Sequence, residues 1–144
     1  WRLGYLSGPA SVIKSAAALQ SQSTSNVCSF AQRGAIAAIE GSRDCVREMA
    51  VSYDQRRTLL VEGLQALPGI TLVPPKGAFY AFPQLPEACG DSVNFCQRAL
   101  EQEGLAIVPG GAFGDDRCVR LSCAVSRETI TDGLSRLARL LPAG

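Results

Sequence analysis

The pattern of apolar residues changes class at Pro68-Gly69, and that change constrains the fold more than any other feature. Ahead of it, Val46, Met49, Tyr53, Leu60, Leu64 and Leu67 recur at intervals of three, four or seven, the spacing of one side of a helix. That spacing predicts a helix over residues 43–67, about 37 Å long at the usual rise per residue. Beyond Pro68-Gly69 the apolar runs shorten to strand length and are punctuated by Pro74-Pro75, Pro83 and Pro109-Gly110-Gly111. Helices followed by short strands with helices between them imply an α/β chain.

The remaining elements follow from local signals. Residues 1–6, which include Trp1, Leu3, Tyr5 and Leu6, have strand character, and a chain opening inside an apolar strand is expected to be truncated there. Helices are expected over residues 10–22 and, rich in Ala31, Ala35, Ala37 and Ala38, over residues 29–40. After the long helix come strands at 70–73, 78–82, 105–108 and 118–125. A helix at 91–103 is capped by Asp91 or Ser92, with Val93, Cys96 and Leu100 expected inward. A last helix at 127–141, capped by Ser126, buries Ile130, Leu134, Leu137 and Leu141. The expected organisation is a helical part at 1–42, a bridging helix at 43–67 and a small α/β domain at 68–144.

Charge and composition exclude several function classes. Fourteen Lys plus Arg against thirteen Asp plus Glu leave a net charge of +1, with no field to draw in nucleic acid. No apolar stretch reaches the roughly 18 residues that cross a bilayer, and no signal peptide is visible, so a cytoplasmic, non-membrane setting is expected. The six cysteines form no CxxC pair and mostly lie in apolar runs, which predicts reduced, buried thiols. The absence of histidine excludes a Ser-His-Asp triad and every His-containing metal site within the chain.

Arg120 stands out among the polar residues. In Val119-Arg120-Leu121-Ser122, alternation puts Arg120 and Ser122 on the face opposite Val119 and Leu121. A guanidinium there requires a reason, and its planar fork suits a carboxylate, whether Asp115, Glu128 or a bound acid; an edge charge or a structural pair is the alternative to ligand recognition. Arg2 could hold a phosphate in the same way or make an exposed contact. The glycines at 110, 111 and 114 lack phosphate-loop spacing and shape a turn. Lys76-Gly77-Ala78-Phe79-Tyr80 is a turn entering a strand, with one ring inward and the next outward. Lys14 and Lys76 are expected in solvent, and Asp115 and Asp116 on a loop.

The stretches Trp1-Arg2-Leu3-Gly4-Tyr5, Gln20 to Asn26, Lys76 to Tyr80, Val108 to Gly114 and Val119 to Ala124 together resemble the C-terminal part of the class I/II aminotransferases. These are pyridoxal-phosphate enzymes of the aspartate-aminotransferase-like fold, and the likeness is greatest to the bacterial aspartate aminotransferases. The resemblance implies an α/β fold with leading helices and a small mixed-sheet domain. It assigns Arg2 to the cofactor phosphate and Arg120 to the substrate α-carboxylate. Phe79 and Tyr80 would lie near the substrate entrance, and residues 21–26 near a homodimer interface.

The resemblance also places the Schiff-base lysine upstream of Trp1, with the pyridine-nitrogen aspartate, the stacking ring and much of the phosphate cup. No catalytic residue is therefore expected in this chain, and its own hold on pyridoxal phosphate should be weak or absent. With the missing N-terminal domain, the parent would move an amino group from an L-amino acid, aspartate first, to the 2-oxo acid 2-oxoglutarate. A non-catalytic interaction domain, or a fragment of a same-fold lyase or synthase, is the alternative.

Overall fold

The computed structural model describes residues 3–142, and Trp1 and Arg2 lie outside them. The chain divides into two compact units, Trp1–Arg47 and Glu48–Gly144. The first unit contains α1 (Ala10–Ser23) and α2 (Ser29–Glu40). Pro9 stands at the cap of α1, where its missing N–H costs nothing. Ser21 and Ser23 turn their hydroxyls back onto the carbonyls of Ala18 (2.8 Å) and Leu19 (3.0 Å) at the helix end. Ser25 then takes a left-handed backbone conformation, at φ 58°. Ala31 is the one buried apolar residue of this unit among those described, while Tyr5, Phe30 and Ile39 are exposed.

Over the described residues of the expected first strand no ladder forms: residues 3–9 are irregular, and residues 1 and 2 lie outside the description. Strand character is realised only where a neighbouring backbone offers a ladder, and no described segment does so here.

The third helix, α3 (Asp44–Gln65), ends slightly earlier than its spacing predicted. Only its later part carries the apolar stripe into a core, through Leu60, Val61 and Leu64; Val46 and Met49 are exposed. The second unit continues with β1 (Tyr80–Ala81), α4 (Ser92–Glu103), β2 (Val108–Pro109), β3 (Val119–Ser122) and α5 (Arg127–Leu140). Short 3-10 turns at Glu87–Cys89 and Gly110–Phe113 precede α4 and follow β2.

β3 is the middle strand of a β1-β3-β2 sheet and is antiparallel to both neighbours. Tyr80 pairs with Ser122, Ala81 with Leu121, Val108 with Arg120 and Pro109 with Val119. The expected strand at 70–73 shrinks to one bridge, Thr71 to Gln84, and Gln84 also bridges Cys118. Prolines explain the shortening. Pro74-Pro75 and Pro83 cannot donate to a ladder, and Pro109 is tolerated because β2 is an edge.

The core joins Leu60, Leu64, Phe95, Val119, Leu121, Ile130 and Leu137. α5 buries the predicted side, with Ile130, Leu137 and Leu141 buried and Leu134 partly so. Its cap is as expected: Ser126 Oγ accepts the Thr129 N–H (3.2 Å), and Glu128 sits in the first turn. α4 is capped by Asp91, whose carboxylate accepts the Asn94 N–H (2.9 Å), and closes on left-handed Gly104.

The inward face of α4, however, is rotated from the one expected. Ser92, Phe95, Cys96 and Ala99 are buried, whereas Val93 and Leu100 are exposed. The buried set has the i, i+3, i+4, i+7 spacing of a helix face, and it includes a serine, which hydropathy alone assigns outward. Phe95→Ala is expected to cost about 3–5 kcal/mol in chemical denaturation, and Val93→Ala about 0.5 kcal/mol or less. Equal losses would contradict this packing.

Candidate functional site

The register of the sheet builds the site. Directly opposed residues project to the same side, so Tyr80, Ser122, Arg120 and Val108 share one face. Val119 and Leu121 point the other way into the core. The side chain of Arg120 is half-buried on that open face, as its place in the alternation required.

Its guanidinium carbon lies 4.4 Å from the centre of the Tyr80 ring and 4.3 Å from that of Phe113. Both rings offer their electron-rich faces to the cation. Among the described residues no carboxylate pairs with it. Asp115, one expected partner, is taken by Arg117, with contacts of 2.9 Å to Nε and 2.7 Å to an amino nitrogen. Glu128, the other, forms no ion pair with Arg120 among the described residues. Among the described residues Arg120 therefore lies against two rings and makes no ion pair with either expected carboxylate.

Arg120 borders a cleft of about 210 Å³ whose other walls include Leu60, Tyr80, Val108, Ser122 and Ile130. It is the one charged residue lining that cleft, and neither lysine reaches it. Lys14 and Lys76 are exposed, as expected. Phe79 and Tyr80 depart from the inward and outward alternation predicted for them. Both are partly exposed, with ring centres 4.4 Å apart. Ala78 at φ 58° turns the backbone before the strand begins, and the Phe79 ring lies 6.2 Å from that of Tyr53. Alternation applies only once residues are inside the ladder.

The Gly110–Phe113 turn is a structural turn, as its spacing indicated. A Cβ on Gly110 would fall 2.2 Å from the Cys118 carbonyl oxygen, so no larger residue fits without moving backbone. This turn carries Phe113, whose role beside Arg120 the sequence reading did not single out. An aromatic a few residues from a strand arginine across a tight turn was the available signal. Arg2 lies outside the described residues, so its phosphate contact is not part of this geometry.

The thiols do not add a nucleophile. All six are free. Cys89, Cys96, Cys118 and Cys123 are buried as expected, but Cys28, at the cap of α2, and Cys45, in the first turn of α3, are exposed. Burial pushes the Cys96 thiol up to about 11, which keeps it protonated at neutral pH. Among the described residues no group of His, Cys, Asp and Glu could hold a metal, and no helix is long and apolar enough to cross a membrane.

A model of the family described as Aminotransferase class I and II matches residues 1–137. The chain belongs to that family. A probable aspartate/prephenate aminotransferase from Aquifex aeolicus is 42% identical over 98% of this chain, and an aspartate aminotransferase from Geobacillus stearothermophilus is 40% identical over 99%. These matches cover 37% and 38% of the two relatives, so the chain spans little more than a third of their length.

Solved structures agree. An aromatic aminotransferase from Pyrococcus horikoshii superposes with a TM-score of 0.89 at 33% identity, over 97% of this chain and 38% of that one. A Thermus thermophilus aspartate aminotransferase with maleate superposes with a TM-score of 0.82 at 41% identity, over 93% and 35%. The α/β architecture, helices with a small sheet, is that of the aspartate-aminotransferase-like fold.

Electrostatics beside the site are testable in this aminotransferase-family chain. Hydrogen bonds from Arg117 hold the Asp115 carboxyl at about 2, below the ordinary 3.8. A depressed carboxyl contributes stability above its unfolded value and loses it as pH falls from about 4 towards 2. Arg117→Ala is expected to return the Asp115 titration, followed by carbon NMR, towards 3.8; an unmoved titration would contradict the pairing.

Proposed function

We propose that this chain is the C-terminal part of a pyridoxal-phosphate-dependent aminotransferase and that Arg120 receives the α-carboxylate of its amino-acid substrate. The observation that carries the reading is a half-buried guanidinium held between the Tyr80 and Phe113 rings with no carboxylate partner among the described residues. The planar fork binds a carboxylate through two parallel charge-assisted hydrogen bonds, which fix the acid's orientation as well as its position. Fixing the carboxylate restricts the Cα that carries the reacting proton, and that restriction is the part of the rate this residue supplies.

The described residues fit an acid and do not by themselves fit the whole cofactor. Arg120 is cationic, yet no lysine lines its cleft, and Arg2, proposed for the cofactor phosphate, is outside the described part. When bound, pyridoxal phosphate supplies the electron sink for charge developing at Cα. We assign the lysine and the rest of the cofactor pocket to a large N-terminal domain of a longer protein, which leaves this chain alone a weak cofactor binder or none.

Within this reading residues 1–42 belong with that large domain, 43–67 form the bridge and 68–144 the small domain. Residues 21–26 face a homodimer partner. L-Aspartate and 2-oxoglutarate are the proposed substrates, by analogy with the aspartate aminotransferases among the relatives. Because Arg120 is the one charge in its cleft, it reads a single carboxylate, and the distal one falls to residues elsewhere.

The kinetic test uses the longer protein. Arg120→Ala is expected to lower kcat/KM for L-aspartate on the order of 10²- to 10⁴-fold, the loss of two hydrogen bonds to a charged group, with Arg120→Lys between it and wild type. The resting cofactor absorbance should not change. An Arg120→Ala variant within threefold of wild type overturns the assignment.

A further inference from the structure

Ser92 is the sole buried polar residue among those described, with no exposed surface at all. A buried hydroxyl must be hydrogen-bonded, and its bonds show what it is for. Capping does not account for it, since Asp91 already caps α4 through the Asn94 N–H. Instead the Ser92 hydroxyl donates to Asp116 Oδ1 (2.5 Å) and accepts from the Gly111 N–H (3.3 Å). The Ser92 N–H donates to the Asp116 carbonyl (3.0 Å) and approaches its Oδ1 (3.3 Å). One side chain thus ties the first turn of α4 to both ends of the segment between β2 and β3.

That segment carries Phe113. The Phe113 side chain is about half exposed, so burial alone does not hold it. Its ring meets Phe82 edge-on at 6.2 Å and covers the Arg120 guanidinium at 4.3 Å. The turn bearing it is fastened at Gly110, whose N–H donates to the Cys118 carbonyl (2.9 Å), and at Gly111 by Ser92. A Cβ on Gly111 would lie 3.0 Å from Asp116 Oδ1, a close approach that matches this fastening.

We infer that Ser92 and Asp116 are positioning residues: they hold the Gly110–Phe113 turn so that Phe113 stays on Arg120 and aims its fork at the incoming carboxylate. The inference rests on the carboxylate reading of Arg120. Neither residue touches the acid. Each acts through the turn, and the hydrogen bond, not the charge of Asp116, is what matters.

The test is a nitrogen-15 NMR measurement of the Arg120 Nε–H signal in the longer protein, alone and titrated with maleate. In wild type the flanking rings are expected to shift that signal upfield. Ser92→Ala and Asp116→Ala are expected to move it towards the ordinary arginine position and to weaken maleate binding roughly three- to tenfold, the effect of one hydrogen bond. Asp116→Asn, which keeps an oxygen to accept from Ser92, should behave as wild type.

An unmoved Arg120 signal in Ser92→Ala, a moved signal with unaltered maleate affinity, or Asp116→Asn losing as much as Asp116→Ala each overturns the inference. Asp116 is exposed, so its variants decide the matter if Ser92→Ala does not fold. No maleate effect on wild-type Arg120 overturns the carboxylate reading and the positioning role with it, while the ligand-free signals still show whether the pair holds Phe113.

Discussion

The face on which Arg120 sits depends on β3 running between two antiparallel neighbours. A four-residue strand would have no fixed face by itself, but pairing on both sides pins its register, and a slip by one residue would exchange its faces. Val119 and Leu121 lock the choice. Burying each of these side chains stabilises the fold by about 1.5–3 kcal/mol, so the register that puts Arg120 on the open face is strongly preferred. The backbone that forms the core therefore also presents the cation.

On the proposed reading, the cation has to be stabilised without being neutralised. A carboxylate of the chain would do the first and prevent recognition of an acid. The rings of Tyr80 and Phe113 attract the guanidinium through their faces and leave its N–H edge for a ligand. Nearby carboxylates are kept occupied: Asp115 by Arg117, and Asp116 by Ser92. The charge pattern around β3 is thus arranged so that acids close in sequence to Arg120 are satisfied elsewhere.

What was legible in the sequence was mostly local. α2 matches the expected bounds and α5 its start and cap, because Ser126 and the spacing of Ile130, Leu137 and Leu141 act within a turn or two. The position of Arg120 on its face was legible because alternation is also local. The partners of Arg120 were not, since Tyr80 and Phe113 reach it only through the sheet and the turn. The face of α4 was misread because the buried position is taken by Ser92, whose polarity is offset by bonds to residues far along the chain. Strands were overestimated where prolines stop the ladder, and residues 3–6 kept strand composition without a partner.

Family membership agrees with the geometry, since the matched region, residues 1–137, contains the strand and turn that build the site. On the proposed reading, Arg120 is a carboxylate receptor prepared by the fold. The most direct measurement is a crystal structure of the longer protein with maleate. A maleate carboxylate is expected on the Arg120 fork at about 2.7–2.9 Å, with the Tyr80 and Phe113 rings still flanking it. Maleate bound elsewhere, with Arg120 paired to a protein carboxylate, would contradict it.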